Sequence, residues 1–151
     1  MKKFVKFAMA SLVVALIVAC SKVEVANDFL DVTPNNISGV WSMESYDDGE
    51  PLADGSYYYI VFDRAEKRFE SFDNLGSMGV HKRSGRYDIY TNQAAIIRGM
   101  YDFGQGDWEH QYYVRDLTKN RMVWVAVDDE SLVQVYVRAE LPEWIPTDKK
   151  E

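Results

Sequence analysis

Side chains that could carry out catalysis are few and lie far apart in the sequence. The two histidines are His81 and His110, and neither belongs to a His-Glu-x-x-His motif or to another close spacing of zinc ligands. His110 follows Glu109, but neighbouring residues of a strand face opposite sides, so this pair does not predict an acid–base couple. The sequence has no Gly-x-Ser-x-Gly nucleophile motif. We therefore predict a non-catalytic protein that needs no cofactor.

One acidic segment contains the ligand type that calcium prefers. Asp47, Asp48, Glu50 and Asp54 lie within a single short stretch, and carboxylate oxygens are typical calcium ligands. A solvated acidic turn explains the same residues without a metal, and we prefer that interpretation. The sequence thus predicts no metal site.

Cys20 is the single cysteine of the chain, and its position predicts attachment of a lipid. Lysines at the N-terminus precede an apolar run over residues 7–19, which has the basic start and apolar centre of a secretory signal. The run is shorter than the roughly 20 residues of a membrane-spanning helix. Ile17-Val18-Ala19 before Cys20 resembles a bacterial lipobox, in which cleavage precedes the cysteine and the thiol receives a diacylglycerol.

Cleavage before Cys20 would divide the chain into a signal peptide and a mature lipoprotein. We expect the signal peptide over residues 1–19, a lipidated tether over 20–36, a globular domain over 37–141 and a C-terminal tail over 142–151. The lipid would anchor the protein in the cell envelope, at the outer membrane. Loss of the lysines in the signal changes the net charge from −7 to −10. Because so acidic a domain repels phosphate backbones, we predict no nucleic-acid partner.

The sequence after residue 36 is typical of an all-β domain. Short runs rich in Tyr, Val, Ile, Phe and Trp alternate with polar turns, as in strands. The predicted strands cover residues 39–46, 57–63, 68–73, 80–90, 94–100, 109–116, 122–127 and 132–138. Short connections favour antiparallel pairing of neighbours. The near-regular spacing predicts an eight-stranded up-and-down barrel or a sandwich, and we expect Trp144 of the tail to pack back onto it.

Gly39-Val40-Trp41 at the start of the first predicted strand resembles the lipocalin signature Gly-x-Trp. Residues 37–140 as a whole resemble the lipocalin-like domains in lipoproteins of Bacteroidetes-type bacteria. Further similar stretches are residues 112–117, 122–124 and 136–138. In lipocalins an arginine near the end of the last strand packs over the tryptophan of the first, and Arg138 has that place here. The resemblance implies a calycin-like barrel closed by Gly39, Trp41 and Arg138. It implies room for a small apolar ligand and no reaction.

The sequence does not determine which face of the last strand points into the barrel. If Arg138 faces inward, Tyr136 does so too, and the outward positions are Val133, Val135 and Val137. The preceding strand repeats this pattern at Val123, Val125 and Val127. Either the valine face points inward, or it is covered by the tail, a second copy or the membrane surface. A shift of one residue reverses every side chain, so both arrangements fit the sequence.

Aromatic side chains are the abundant residue type that could bind a ligand, at 14% of the chain with ten tyrosines. Most should fill the core, but an apolar ring with a polar tip also suits ligand recognition. The candidate ligand-binding residues are five of these aromatics: Tyr59, Tyr87, Tyr112, Trp124 and Tyr136. We predict an envelope lipoprotein whose barrel binds a small apolar or amphipathic ligand. The alternative is a scaffold whose filled barrel docks a protein partner through an apolar outer face.

Overall fold

The computed structural model describes residues 28–47 and 49–147. The predicted signal peptide, Cys20 and Asp48 lie outside the described residues, as do the tether up to residue 27 and the tail after residue 147. The elements are α1 Pro34–Ile37, β1 Gly39–Tyr46, β2 Glu50–Pro51, β3 Tyr58–Asp63, β4 Arg68–Asp73, β5 His81–Thr91, β6 Ala95–Tyr101, β7 Tyr112–Arg115, β8 Arg121–Ala126 and β9 Val133–Arg138. Within these ranges no helix has the length and apolar character needed to cross a bilayer.

The strands form one antiparallel barrel in which, apart from the short β2, neighbours in sequence are neighbours in the sheet. The strand order is β2-β1-β3-β4-β5-β6-β7-β8-β9, and a further pairing of β1 with β9 closes the sheet. The short β2 pairs only with the end of β1, at Ser45 and Tyr46. The other strands make up the closed eight-stranded up-and-down barrel, which confirms the all-β prediction.

Two local elements differ from the sequence prediction. The helix α1 forms at the end of the predicted tether. Thr33 caps it by accepting a hydrogen bond from the backbone N–H of Asn36 at 3.2 Å, and Pro34 stands in its first turn, where a proline fits. The strand β2 forms within a stretch that we predicted as a turn. Neither element alters the barrel.

Aromatic side chains fill the barrel interior. The ring of Trp124 lies 4.7 Å from that of Tyr136, 5.2 Å from Tyr112 and 5.5 Å from Trp108, measured between centroids. Phe62 joins the same group, 6.2 Å from Trp124. Ring pairs in such contact contribute about 0.5–1.5 kcal/mol each beyond the burial of their area. The interior is therefore a packed core along much of its length.

Trp108 enters the core because Gly99 has no side chain. A Cβ atom on Gly99 would lie 2.1 Å from Cε2 of Trp108. The backbone N–H of Trp108 donates to the carbonyl oxygen of Gly99 at 2.9 Å, and its ring lies 5.0 Å from that of Phe69. This inward bend precedes β7, which begins at Tyr112 rather than at the predicted residue 109.

The valine face of the last two strands points outward. Tyr136 lies opposite Met43 and is only 1% exposed, whereas Val137 lies opposite Ser42 on the other face. The arrangement with valines inward is therefore wrong. Val135 is nevertheless buried by its neighbours, as is Val125 on β8.

The C-terminal tail packs on the outside of the barrel. The ring of Trp144 meets that of Tyr57 edge-on, with centroids 4.9 Å apart. Trp144 remains 59% exposed, and Ile145 is the buried residue of this segment. The tail is thus held by contacts near the start of β3.

Candidate ligand-binding site

The first and last strands are joined at one end of the barrel by Arg138 and Trp41. The two residues are directly opposite in the β1–β9 pairing, and the guanidinium carbon lies 3.8 Å from the centroid of the indole ring. Trp41 is fully buried and donates its indole N–H to the carbonyl oxygen of Ile37 at 2.8 Å. The structure thus brings together the residues that the resemblance assigned to barrel closure.

The guanidinium of Arg138 also fixes the peptide segments around this end. Nη1 donates to the carbonyl oxygen of Ser38 at 2.5 Å, Nη2 to that of Asn36 at 3.1 Å, and Nε to that of Lys119 at 3.1 Å. Gly39 has a φ of +106°, and a Cβ there would lie 3.0 Å from Nη1, so glycine suits this position. Partial burial lowers the pKa of Arg138, but a guanidinium stays charged at neutral pH. This end of the barrel is closed by its own backbone.

Four of the five predicted ligand-binding residues lie in the packed core. Tyr87, Tyr112, Trp124 and Tyr136 are 4%, 8%, 2% and 1% exposed. Burial raises the pKa of Tyr87 and of Tyr112 to about 12, and that of Tyr136 well above its ordinary value. The phenols are therefore neutral at physiological pH. The rings of Tyr112 and Tyr136 both contact that of Trp124 and so pack this part of the interior.

The fifth predicted residue, Tyr59, does not face the interior. It lies opposite Ser42 and Phe72 and precedes Ile60, which is fully buried in the interior cluster. Its ring is 5.9 Å from that of Tyr57, on the outer side. Tyr59 therefore lies apart from the other four candidates, and the run of three tyrosines at residues 57–59 does not reveal which of them points inward.

A polar group that the sequence analysis missed lies inside the barrel on β4–β6. Arg83 pairs through Nη2 with Oδ2 of Asp73 at 3.3 Å, and its Nη1 donates to the hydroxyl of Tyr101 at 3.4 Å. The Asp73 side chain is only 3% exposed, and that of Arg83 is 33% exposed. Burial raises the pKa of Tyr101. Alternation with Gly85 and Tyr87 along β5 was the signal that could have placed Arg83 on the inner face.

A cleft of about 800 Å³ lies along the outer side of β5 and β6. Its floor contains Arg86, Asp88, Arg98 and Met100, which alternate with the inward-facing residues of these strands. The turn between β3 and β4 forms one wall, and residues 107–111 with 127–128 form the other. Two rings of the interior, Tyr87 and Trp108, also border this space, together with Gly99. We call this space the outer cleft.

The outer cleft combines charged and apolar groups. Oδ2 of Asp88 lies 3.7 Å from Nη2 of Arg98, and Oδ1 of Asp88 lies 3.9 Å from Nζ of Lys67. On the opposite wall, Nδ1 of His110 lies 2.9 Å from Oδ1 of Asp128. Met100 is 54% exposed beside them. Exposed ion pairs such as those of Asp88 with Arg98 and Lys67 contribute little to stability, so their charges remain available to a ligand.

A second, smaller cleft of about 460 Å³ adjoins the outer cleft and shares Arg86 and Met100 with it. Arg68, Asp102 and Phe103 line the rest. The hydroxyl of Ser84 donates to Oδ2 of Asp102 at 2.7 Å, and this bond, together with the contact to Arg68, lowers the pKa of the carboxyl group. Among the described residues, no group of three or more His, Cys, Asp or Glu side chains is placed to hold a metal ion.

Comparisons with known proteins agree with this geometry. The model of a family described as "Lipocalin-like domain" matches residues 37–124. The crystal structure of a lipocalin-like protein from Bacteroides uniformis ATCC 8492 is similar, with a TM-score of 0.52 and 18% identity over 69% of this chain and 99% of that chain. At that identity the similarity shows the fold alone. No curated protein sequence matches the chain. Because the family match spans more than half of its residues, the chain belongs to the lipocalin-like domain family.

Proposed function

We propose that this protein is a non-catalytic binding protein of the cell envelope that holds a small amphipathic ligand in the outer cleft. The observation that supports this function is the cleft itself. Its volume of about 800 Å³ falls in the range of roughly 300–1,000 Å³ that small-molecule sites occupy. Charged residues beside the exposed Met100 suit a ligand with one polar and one apolar part.

The packing of the interior favours the outer cleft over the barrel axis as the binding site. A purely apolar ligand among Tyr112, Trp124 and Tyr136 would have to separate rings that are 4.7–5.2 Å apart. Separating them would expose aromatic area and cost the energy of each ring contact. The outer cleft requires no such rearrangement, because its charged residues are already in contact with solvent.

The scaffold alternative has weaker support. It depends on an apolar outer face of six valines, of which Val125 and Val135 are only 6% and 8% exposed, Val123, Val133 and Val137 are partly buried, and Val127 is 37% exposed. Their neighbours already remove most of their area from water, so a partner would gain little by covering them. We therefore prefer ligand binding.

The envelope location is supported by the sequence around Cys20. A lipobox-like run, a basic N-terminus and a single cysteine are what lipid anchoring requires. The described chain joins the barrel at its closed end, where the backbone N–H of Leu30 donates to the carbonyl oxygen of Leu117 at 2.7 Å.

Native mass spectrometry of the protein purified from its own membranes tests this function. We expect an additional small-molecule mass on the lipidated chain. Met100→Glu, which places a charge in the apolar part of the outer cleft, should remove that mass. Val123→Glu, a matched change on the outer valine face, should retain it. The proposal is contradicted if Val123→Glu releases the bound molecule and Met100→Glu does not, or if the wild-type protein carries no small molecule.

A further inference from the structure

We propose that the polar part of the ligand is an anion, a carboxylate or a phosphate, and that it binds between Arg68 and Arg86. This inference rests on the proposed function, since it names the chemical class of the ligand for the same surface. The site lies where the outer cleft meets the smaller cleft of about 460 Å³. Arg86 and Met100 belong to both.

The two arginines are neighbours on the outer face of the sheet. Arg68 on β4 is directly opposite Arg86 on β5, and like charges directly opposite each other on a sheet are unfavourable. The Arg86 side chain is exposed, and its charge and that of Arg68 both help to lower the pKa of the nearby Asp102 carboxyl group. One carboxylate thus stands beside two guanidinium groups, and a bound anion would offset the repulsion that remains because it would attract both of them.

The same surface already holds one carboxylate. Asp102 contacts Nη2 of Arg68 through Oδ2, which also accepts the hydroxyl hydrogen of Ser84 at 2.7 Å. This arrangement shows that the outer face of β4–β6 supplies donors suited to a carboxylate oxygen. Arginine is the side chain best suited to bind carboxylate and phosphate through two parallel hydrogen bonds. Asp102 contacts the guanidinium of Arg68 directly and attracts that of Arg86 through its charge, so the donors of the exposed Arg86 can still bind an anion.

Apolar side chains stand next to the paired arginines. Met100 is directly opposite Arg86 on β6 and is 54% exposed. Phe103 is 93% exposed and has a φ of +59°, a backbone conformation that residues other than glycine rarely adopt. An exposed aromatic ring held in such a conformation is typical of a contact residue. An anionic head between the arginines would place an attached apolar chain against Met100 and Phe103.

Isothermal titration calorimetry with three probes that share one alkyl chain tests this inference. The protein is the exported chain carrying Cys20→Ser, so that its own lipid does not compete, and the probes are decanoate, decyl phosphate and decan-1-ol. We expect at least one anionic probe to bind about tenfold tighter than the alcohol, which corresponds to one good charge-assisted contact. Arg86→Gln should abolish that difference without weakening the binding of decan-1-ol.

Arg121→Gln is the matched control, because Arg121 is an exposed arginine on β8 outside both clefts. It should leave all three affinities unchanged, and the melting temperature of each variant checks that the fold is intact. Equal affinity of the wild-type protein for all three probes would overturn the anionic-head inference and leave the proposed function standing. Absence of binding by any probe would contradict both. If Arg86→Gln and Arg121→Gln weaken the binding of the anionic probes equally, the effect is one of general charge, and this result would also overturn the inference.

Discussion

Arg138 of the last strand lies over the indole ring of Trp41 in the first, with 3.8 Å between the guanidinium carbon and the ring centroid. The same guanidinium donates to carbonyl oxygens of Asn36, Ser38 and Lys119. One side chain therefore connects the segment before β1, the start of β1 and the turn before β8. This contact closes the barrel at the end where the chain enters it.

Removal of either partner should destabilise the barrel strongly. Trp41→Ala should lower the free energy of unfolding by about 3–5 kcal/mol, as deletions of large buried aromatics do. Arg138→Ala should lower it by about 2–4 kcal/mol, since the stacking contact and hydrogen bonds from a charged group are lost together. Urea denaturation measures both.

The two losses should also be coupled. The double variant should lose less than the sum of the single variants, because each substitution removes the same contact. Arg121→Ala, at an exposed position of β8, serves as the control and should stay within about 0.5 kcal/mol of the wild type. Additive losses for Trp41 and Arg138 would show that their stacking contributes nothing to closure.

Position 99 should not accept a residue with a side chain while the Trp108 ring occupies the core beside it. Gly99→Ala should destabilise the protein by about 1–3 kcal/mol, as overpacking does, because the new Cβ would lie 2.1 Å from the indole. The same substitution should cost much less in a Trp108→Leu background, where the obstructing ring is absent. Gly76→Ala is the control, since a Cβ at Gly76 meets nothing within 4 Å. Equal costs of Gly99→Ala in both backgrounds would disprove the proposed contact.

Stability should fall at alkaline pH because the core contains neutral phenols. Burial raises the pKa of Tyr87 and of Tyr112 from 10.0 to about 12. Below about pH 10 these groups are protonated in both states, and their contribution is fully present. As the pH rises from about 10 through 12, the unfolded chain loses its protons first, so the free energy of unfolding decreases.

Urea denaturation at a series of pH values measures this decrease. Tyr87→Phe removes one of the groups and should make the dependence on pH shallower over the same range. A free energy of unfolding that stays constant between about pH 10 and pH 12 would contradict the burial of the neutral phenols.

Cys20→Ala should release the protein from the membrane or leave an uncleaved precursor. The reason is that the thiol is the only atom of the chain to which the predicted diacylglycerol can be attached. The far-ultraviolet circular dichroism of the barrel should not change, because the described fold begins after this residue. Membrane fractionation and labelling with a radioactive fatty acid measure the effect. A variant that is still cleaved and still acylated would exclude the lipoprotein assignment.

The strands were predictable because their composition and turns are local properties. The bounds of β1 and β4 agree with the prediction, since each lies between clear polar turns. The inward bend of Trp108 was not predictable, because it depends on the missing side chain at Gly99 in the neighbouring strand. The sequence also did not determine which face of β9 points into the barrel, because both faces carry large side chains and alternation alone does not distinguish them.

The candidate site was less predictable than the fold. Tyr87, Tyr112, Trp124 and Tyr136 lie inside the barrel, and the sequence does not show that rings of this group contact one another. The outer cleft assembles from the β3–β4 turn, the outer faces of β5 and β6 and the segment before β7. Its residues are separated in sequence and become neighbours only when the strands pair.

The central claim is that a ligand binds on the outer wall of the barrel and not within it. Mapping of backbone amide shifts by nuclear magnetic resonance, during titration with decanoate, tests this most directly. We predict that the largest shifts fall on residues 86–88 and 98–100 and on the segment 107–111, with little change at Trp124 and Tyr136. Shifts concentrated on the inward-facing residues of β8 and β9, with none on the outer faces of β5 and β6, would contradict the account.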